Sequence, residues 1–280
     1  MSKRVLSVLL ALALLLCAAC SKSGPAKESG FSDPDEAARI REAMRYVIHA
    51  AGRLEGPDAW GNPRTYDGSN SAEGLAQCAA AGRRPMAVEL DFNFTSDGQL
   101  ACIHDWYTEY ADEIENGVPL SLEDFLSARI YRTFTPAWIG DAADWLRANE
   151  DTYIVTDIKD DNLAGCRAIA DFCPDLLNRF VVQIYDESEY DAVRAMGFEY
   201  VVFTLYRLDW NAKTDWQSLG RFAEEHPLIG FTFSFELCSV EGYVDGMSRS
   251  GVPLYIHTVN EGEEEFFKTG ISGVYTDIVR

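Results

Sequence analysis

The chain has 280 residues, 47% of them hydrophobic and 25% charged, which suits one barrel-sized domain with a large core. Asp and Glu outnumber Lys and Arg by 45 to 24, for a formal charge of −21. So acidic a body excludes nucleic acid as an expected partner, and it requires that any anionic substrate be met by local positive charge or a metal.

The first residues read as a targeting segment. Lys3 and Arg4 precede an apolar run, Val5 to Leu16, too short and wrongly flanked for a stable membrane span. The run ends in Leu16-Cys17-Ala18-Ala19-Cys20, where small residues precede a Cys as in a bacterial lipobox. The expectation is that residues 1–19 are removed and that Cys20 is lipidated, anchoring an exported cell-envelope lipoprotein to a bacterial membrane surface. Ordinary secretory cleavage after Ala19 is the alternative. Residues 20–33, rich in Ser, Gly, Lys and Pro, read as a flexible tether, and 34–280 as the folded domain, expected to be a monomer. Cys78, Cys102, Cys166, Cys173 and Cys238 show no zinc-site spacing and are expected to pack in the core, although Cys166 and Cys173 could meet across about two helical turns.

Asp33-Pro34-Asp35-Glu36 is a helix start, with an N-cap Asp, Pro at the first helical position and acids in the first turn. Tyr46 to Gly52 follows as a short buried strand containing His49. Arg53 to Ser71 reads as a polar loop, after which Ser71 caps a helix from Ala72 to Ala81. Met86 to Trp106 reads as strand, tight turn, strand. Thr95-Ser96-Asp97-Gly98-Gln99 has turn chemistry, and so short a connection demands an antiparallel hairpin. An acidic loop from Tyr107, a capped helix opening near Ser121 and a helical piece from Asp141 to Asn149 come next. Strands then alternate with helices: strands begin near Tyr153, Phe180, Tyr200, Ile229, Pro253 and Gly273. With those near Tyr46 and Met86 the count is eight. The expected fold is therefore an α/β (β/α)8 TIM barrel with an extra antiparallel hairpin strand after the second barrel strand. An open doubly wound sheet is the alternative, but no Gly-rich phosphate loop follows the first strand.

In such a barrel chemistry sits at the C-terminal ends of the strands. His49 lies at the end of the first, and Glu89 and Asp91 share one face of the second. His104 is returned by the hairpin, and Asp157 and Lys159 lie on one side of the third strand's end. Two carboxylates on one strand face repel, and a bound cation is the simplest relief. Glu89, Asp91 and Asp157 offer hard oxygen ligands suited to Ca²⁺ or Mg²⁺ rather than Zn²⁺. Lys159 adds positive charge, and His49 and His104 can serve as base and acid. Together these groups suggest metal-assisted chemistry on a small phosphodiester. Structural alternatives stand beside this reading: an Asp157–Lys159 ion pair, a solvated edge for Glu89 and Asp91, or core roles for the imidazoles. His226 is expected to be merely exposed. His257 lines the site if the odd residues of Tyr255-Ile256-His257 point inward, and packs outside otherwise.

At these residues the sequence resembles the glycerophosphodiester phosphodiesterases, within the barrel superfamily shared with phosphatidylinositol-specific phospholipases C. The matching pieces, spread over Tyr46 to Asp277, are Val47-Ile48-His49, Asn70-Ser71, Val88-Glu89-Leu90-Asp91, Thr95-Ser96-Asp97-Gly98, Ile103-His104-Asp105, Leu120-Ser121-Leu122-Glu123, Asp157-Ile158-Lys159, Thr258-Val259-Asn260 and Gly273-Val274-Tyr275-Thr276-Asp277. The resemblance implies a TIM barrel, a divalent metal and hydrolysis of a glycerophosphodiester to an alcohol and glycerol phosphate. It implies His49 and His104 as the catalytic pair, Glu89, Asp91 and Asp157 as metal ligands, and Lys159 as the phosphate-facing lysine, with Arg53, Asn70 and His257 as further substrate contacts. It also has departures. Ala50 stands where the family usually has Arg, with Arg53 as a possible substitute. Ser69-Asn70-Ser71 replaces the usual Glu-Asn-Thr, Asp157 replaces the commoner Glu, and His257 stands in place of a frequent Trp. Two rivals remain: a phospholipase C-like lyase releasing a cyclic phosphate, and a lipoprotein that binds a phosphate-bearing ligand without turnover.

Overall fold

The computed structural model describes residues 30–280; the expected leader, Cys20 and most of the expected tether lie outside the described residues. The fold begins with helix α1 (Pro34–Ala43), capped by the Asp33 side chain, which accepts from the Glu36 N–H at 3.0 Å. Its apolar stripe, Ala37, Ile40 and Ala43, is fully buried and closes the bottom of a barrel. Phe31, just before it, is buried against the Tyr200 ring.

The barrel strands are β1 (Tyr46–Ile48), β4 (Met86–Phe94), β6 (Thr152–Ile158), β7 (Phe180–Ile184), β8 (Tyr200–Thr204), β9 (Gly230–Ser234), β10 (Leu254–His257) and β11 (Gly273–Thr276). Each is parallel to its neighbour, and β1 pairs with both β4 and β11, so the eight-stranded sheet closes. Side chains alternate across it. Val88, Leu90, Ile154, Val182, Phe203, Phe231 and Ile256 point outward into one apolar layer beneath the helices. Ala87, Tyr153, Val155, Val181, Val202 and Tyr255 point inward and form a second apolar cluster with α1. The inward positions one step further along are Glu89, Asp91, Asp157, Gln183, Thr204, Thr232, His257 and Tyr275. The barrel interior is therefore apolar at its N-terminal end and polar at its C-terminal end.

Helices α2 (Ala72–Ala80), α4 (Ile139–Ala148), α5 (Asn162–Phe172), α6 (Tyr190–Ala195), α8 (Trp216–Glu225), α9 (Tyr243–Ser248) and α10 (Glu263–Phe267) cover the outside, with short α7 (Trp210–Thr214) leading into α8. His226 is not simply exposed: it closes α8, with Nδ1 on the Phe222 carbonyl and its ring stacked on Phe222. Cys78, Cys102, Cys166 and Cys173 are buried and Cys238 half-buried, all as free thiols.

Three local differences from the expected elements matter. The strand expected over Tyr46–Gly52 ends at Ile48, because Ala50, Ala51 and Gly52 take positive φ and turn the chain sharply. The polar loop after it holds a hairpin of its own, β2 (Leu54–Pro57) against β3 (Pro63–Tyr66). The return strand of the hairpin after β4, β5 (Leu100–Cys102), is antiparallel as expected but stops at Cys102 rather than Trp106. Beyond it the chain leaves the sheet, and Trp106 packs edge-on against Phe125 of α3 (Leu122–Ser127). This excursion has its own apolar centre, in which Leu54, Tyr66, Ile103, Ile114 and Phe134 also take part.

Tyr255 fills the lower barrel because two neighbouring positions lack a side chain. A Cβ on Gly230 would lie 2.2 Å from the Tyr255 ring, and one on Gly273 would lie 2.2 Å from the Met44 carbonyl oxygen. The second clash is with backbone, which cannot swing aside. Gly273→Ala is thus expected to cost at least the 1–3 kcal/mol typical of overpacking, read as a lower urea midpoint. Gly98→Ala, in open space at φ +78°, should cost only about 1 kcal/mol. Equal losses for the two would show that the barrel wall yields at Gly273.

Candidate active site

The acidic cluster follows from register. Asp91 of β4 pairs directly with Asp157 of β6, and Glu89 lies one inward step below. The Lys159 N–H donates to the Phe92 carbonyl at 2.9 Å, which holds Lys159 beside β4 just beyond the end of β6. Its ammonium then sits between the two aspartates, 2.7 Å from Asp91 Oδ1 and 2.9 Å from Asp157 Oδ2. One oxygen each from Glu89, Asp91 and Asp157 lies within 4.8 Å of the others. All three carboxylates are buried.

Each carboxylate is oriented separately. Glu89 Oε2 accepts from the Ala50 N–H at 2.7 Å, an amide aimed into the site by the left-handed backbone of Ala50. Asn70, also at positive φ, donates to Asp91 Oδ2 at 2.7 Å and accepts from the Asp91 N–H. Asp157 accepts from the Tyr185 hydroxyl, and from the Tyr206 hydroxyl at 3.0 Å. Arg207 lies over the Tyr185 ring at 3.6 Å and donates to the Ile158 carbonyl. Glu89 Oε1 is buried with no hydrogen-bond partner, and Asp91 Oδ1 has only the Lys159 ammonium.

Burial first, and the Asp91 charge second, push Glu89 up to about 8. Burial would raise Asp91 as well, but Lys159, His104 and His49 outweigh it and hold Asp91 below the usual carboxylate range. The result is one lysine among three acids. An all-oxygen donor set of this kind, with an orphaned buried carboxylate oxygen, fits a hard divalent cation such as Ca²⁺ or Mg²⁺.

Two imidazoles flank the cluster, both near enough to Asp91 to favour its charge. His49 Nδ1 bonds Asp277 Oδ1 at 2.7 Å, and Asp277 is itself held by the Asn260 side chain at 2.7 Å. Burial alone would lower His49. The Asp277 bond and the charges of Glu89 and Asp91 prevail and raise it to about 9, although 34% of its side chain stays solvent-accessible. His104 Nδ1 bonds Asp105 at 2.5 Å, and the pair stands on the open rim. In both pairs the carboxylate occupies Nδ1, so Nε2 is the nitrogen left for a ligand.

The remaining candidates are placed as follows. Asn70 orients Asp91 directly. The guanidinium of Arg53 pairs with Asp67 on the surface, while its backbone N–H donates to the Asp277 carbonyl. His257 points inward and lines a cavity of about 50 Å³ with His49, Glu89, Asp157, Thr232 and Tyr275. Burial, then the His49 charge, push His257 down to about 4, so it is neutral, and its Nε2 has no hydrogen-bond partner. The sequence reading missed Asp277 and Asn260 as a brace for His49, and Tyr185, Tyr206 and Arg207 as the surroundings of Asp157. Their signal was positional: Tyr185, Tyr206 and Asp277 each follow the last residues of a barrel strand.

No protein-family profile matches this sequence, and no curated protein matches it detectably. Solved structures do. The chain superposes on a glycerophosphoryl diester phosphodiesterase from Parabacteroides distasonis with TM-score 0.60 at 15% identity, over 88% of this chain and 89% of that one. A phosphodiesterase from Oleispira antarctica, solved with the product sn-glycerol-3-phosphate, matches with TM-score 0.65 at 12% identity, over 85% and 95%. A glycerophosphodiester phosphodiesterase from Thermotoga maritima matches with TM-score 0.57 at 16% identity, over 75% and 88%. The chain therefore has the barrel fold of these enzymes.

Lys159 is the internal counter-ion of Asp91 and Asp157. With divalent ions chelated, Lys159→Met is expected to lower the unfolding free energy by about 3 kcal/mol in urea denaturation, since it strands two buried carboxylates. Unchanged stability would show that the ammonium is not what neutralises them.

Proposed function

We propose that the protein is a metal-dependent phosphodiesterase that hydrolyses a glycerophosphodiester, or a related lipid-derived diester, to an alcohol and glycerol phosphate. The observation that carries this reading is the meeting of three carboxylates, one lysine and two Asp-braced imidazoles at the C-terminal mouth of the barrel. The shared fold with phosphodiesterases, one of them holding sn-glycerol-3-phosphate, supports the same class.

Glu89, Asp91 and Asp157 are the residues that would hold the divalent ion. When bound, such an ion supplies Lewis-acid stabilisation of charge on a phosphoryl oxygen. The rest of the chemistry belongs to side chains. Lys159 adds positive charge where the phosphate oxygens gather. His104, on the accessible rim, takes the proton from the attacking oxygen at Nε2. His49, kept cationic by Asp277, gives its Nε2 proton to the departing alcohol oxygen. One P–O bond forms and one breaks, and the two imidazoles exchange protonation states. His257, neutral and inward, offers Nε2 to a substrate oxygen or hydroxyl, and Asn70 keeps Asp91 in place. Arg53 is drawn towards the phosphate only if it leaves Asp67.

His104→Ala and His49→Ala are each expected to slow hydrolysis of glycerophosphocholine or a related glycerophosphodiester by about 10²–10⁴-fold. Chelation should abolish activity, and Ca²⁺ or Mg²⁺ should restore it. In a thermal melt, an ion at about 100 times its Kd should stabilise the parent by about 2.7 kcal/mol, and Glu89→Gln should lose that gain. Activity indifferent to chelator and to both histidine variants would end the proposal. Release of a cyclic phosphate would instead identify the phospholipase C-like route, and ligand-induced stabilisation without turnover a binding protein.

We propose further that the protein works at the cell envelope, tethered through Cys20. The support is the basic, apolar and small-residue order of the first twenty residues. Radiolabelled palmitate should enter the parent chain and not Cys20→Ser; equal labelling of both would refute the anchor.

A further inference from the structure

A second cavity, of about 300 Å³, opens beside the catalytic one, between the segments that leave β8 and β9. Leu205, Trp210, Phe233, Leu237 and Val240 make most of its wall, and Lys213 and Glu236 line it as well. Tyr206 lines both cavities, and its hydroxyl bonds Asp157. One aromatic ring thus separates the acidic cluster from a pocket sized for a ligand rather than for water. Leu205, Phe233 and Leu237 belong to the core, whereas Trp210 on the outer wall is 57% exposed. A tryptophan with so much apolar surface in water gains by being covered. Other exposed aromatic residues also follow barrel strands. Trp60, Tyr107, Tyr206, Trp210 and Phe235 are all exposed, and all lie in segments that leave the C-terminal ends of barrel strands. Against a chain of charge −21, this concentration of uncharged aromatic surface on the active-site face is a local exception.

We propose that this cavity holds an acyl or alkyl chain carried by one of the alcohols of the phosphodiester, so that the preferred substrate bears a single apolar chain rather than being fully water-soluble. The inference rests on the phosphodiesterase reading and specifies its substrate class. The occupant follows from continuity: a chain attached near a phosphorus held at Asp157 has only the Tyr206 ring to pass before it reaches apolar walls. Trp210 would close over it, and Ser239, exposed and also in the lining, would stand at the entrance.

The test uses the full chain with Ca²⁺ or Mg²⁺ and paired substrates: chain-free glycerophosphocholine, glycerophosphoethanolamine and glycerophosphoglycerol, and the same diesters carrying one acyl chain of increasing length, each below its aggregation concentration. With a fitting head group, kcat/KM should climb by up to about fourfold per added methylene and level off once the cavity is full. Ser239→Trp, which fills the entrance from an exposed position, should flatten that climb, and Trp210→Ala should make it shallower. Turnover of chain-free diesters with no gain from chain length would overturn the substrate assignment and leave the phosphodiesterase reading standing. A gain that persists unchanged in Ser239→Trp would also overturn it, by placing the chain elsewhere. No turnover of any member would end both readings together.

Discussion

Three carboxylates inside one barrel mouth repel one another, and the architecture of the site answers that repulsion. Asp91 and Asp157 stand side by side because β4 and β6 are in parallel register, and Lys159 bridges them from the position just past β6. Glu89 receives only one backbone amide, and its second oxygen is orphaned. Burial with so little compensation pushes Glu89 up to about 8, while Lys159 and the two imidazoles hold Asp91 down. The same deficit of positive charge keeps His49 cationic and, with Asp277, fixes its direction.

That arrangement is affordable because the barrel segregates polarity along its axis. Its lower half is filled by Tyr153, Tyr255 and small aliphatic side chains and sealed by α1, so the polar layer above rests on a closed apolar floor. The polar layer then needs no path to solvent except upward. The sharp turn after β1 belongs to the same economy of space: Ala50 adopts a left-handed backbone that a non-glycine residue avoids, and in doing so aims its N–H at Glu89. Ala50 is also the position where resemblance to the phosphodiesterases expects an arginine.

Around this centre the aromatic side chains serve two purposes. Tyr185 and Tyr206 fasten Asp157 from one side, and Arg207 stacks on Tyr185 to hold the group together. Tyr206 also turns its ring to the apolar cavity beyond, so a single side chain borders both the charged site and its hydrophobic neighbour. Positioning a carboxylate and shaping an adjoining pocket are then linked through one residue.

The eight strands, the hairpin after β4 and the acids on one strand face were all legible in the chain itself, because alternation and turn chemistry are local properties. Glu89, Asp91, Asp157 and Lys159 were recognisable as a set for the same reason: a period of two places them on common faces before any packing is known. His257 could not be placed that way, since its strand reads equally well with either face inward; closure of β10 between β9 and β11 decided it. Likewise Asp277 meets His49 from the opposite end of the sequence, a contact made only when β11 pairs with β1. Sequence alone determined which side chains could share a strand face. Tertiary structure decided which faces look inward and which distant residues complete them, because barrel closure is a long-range condition that no local window contains.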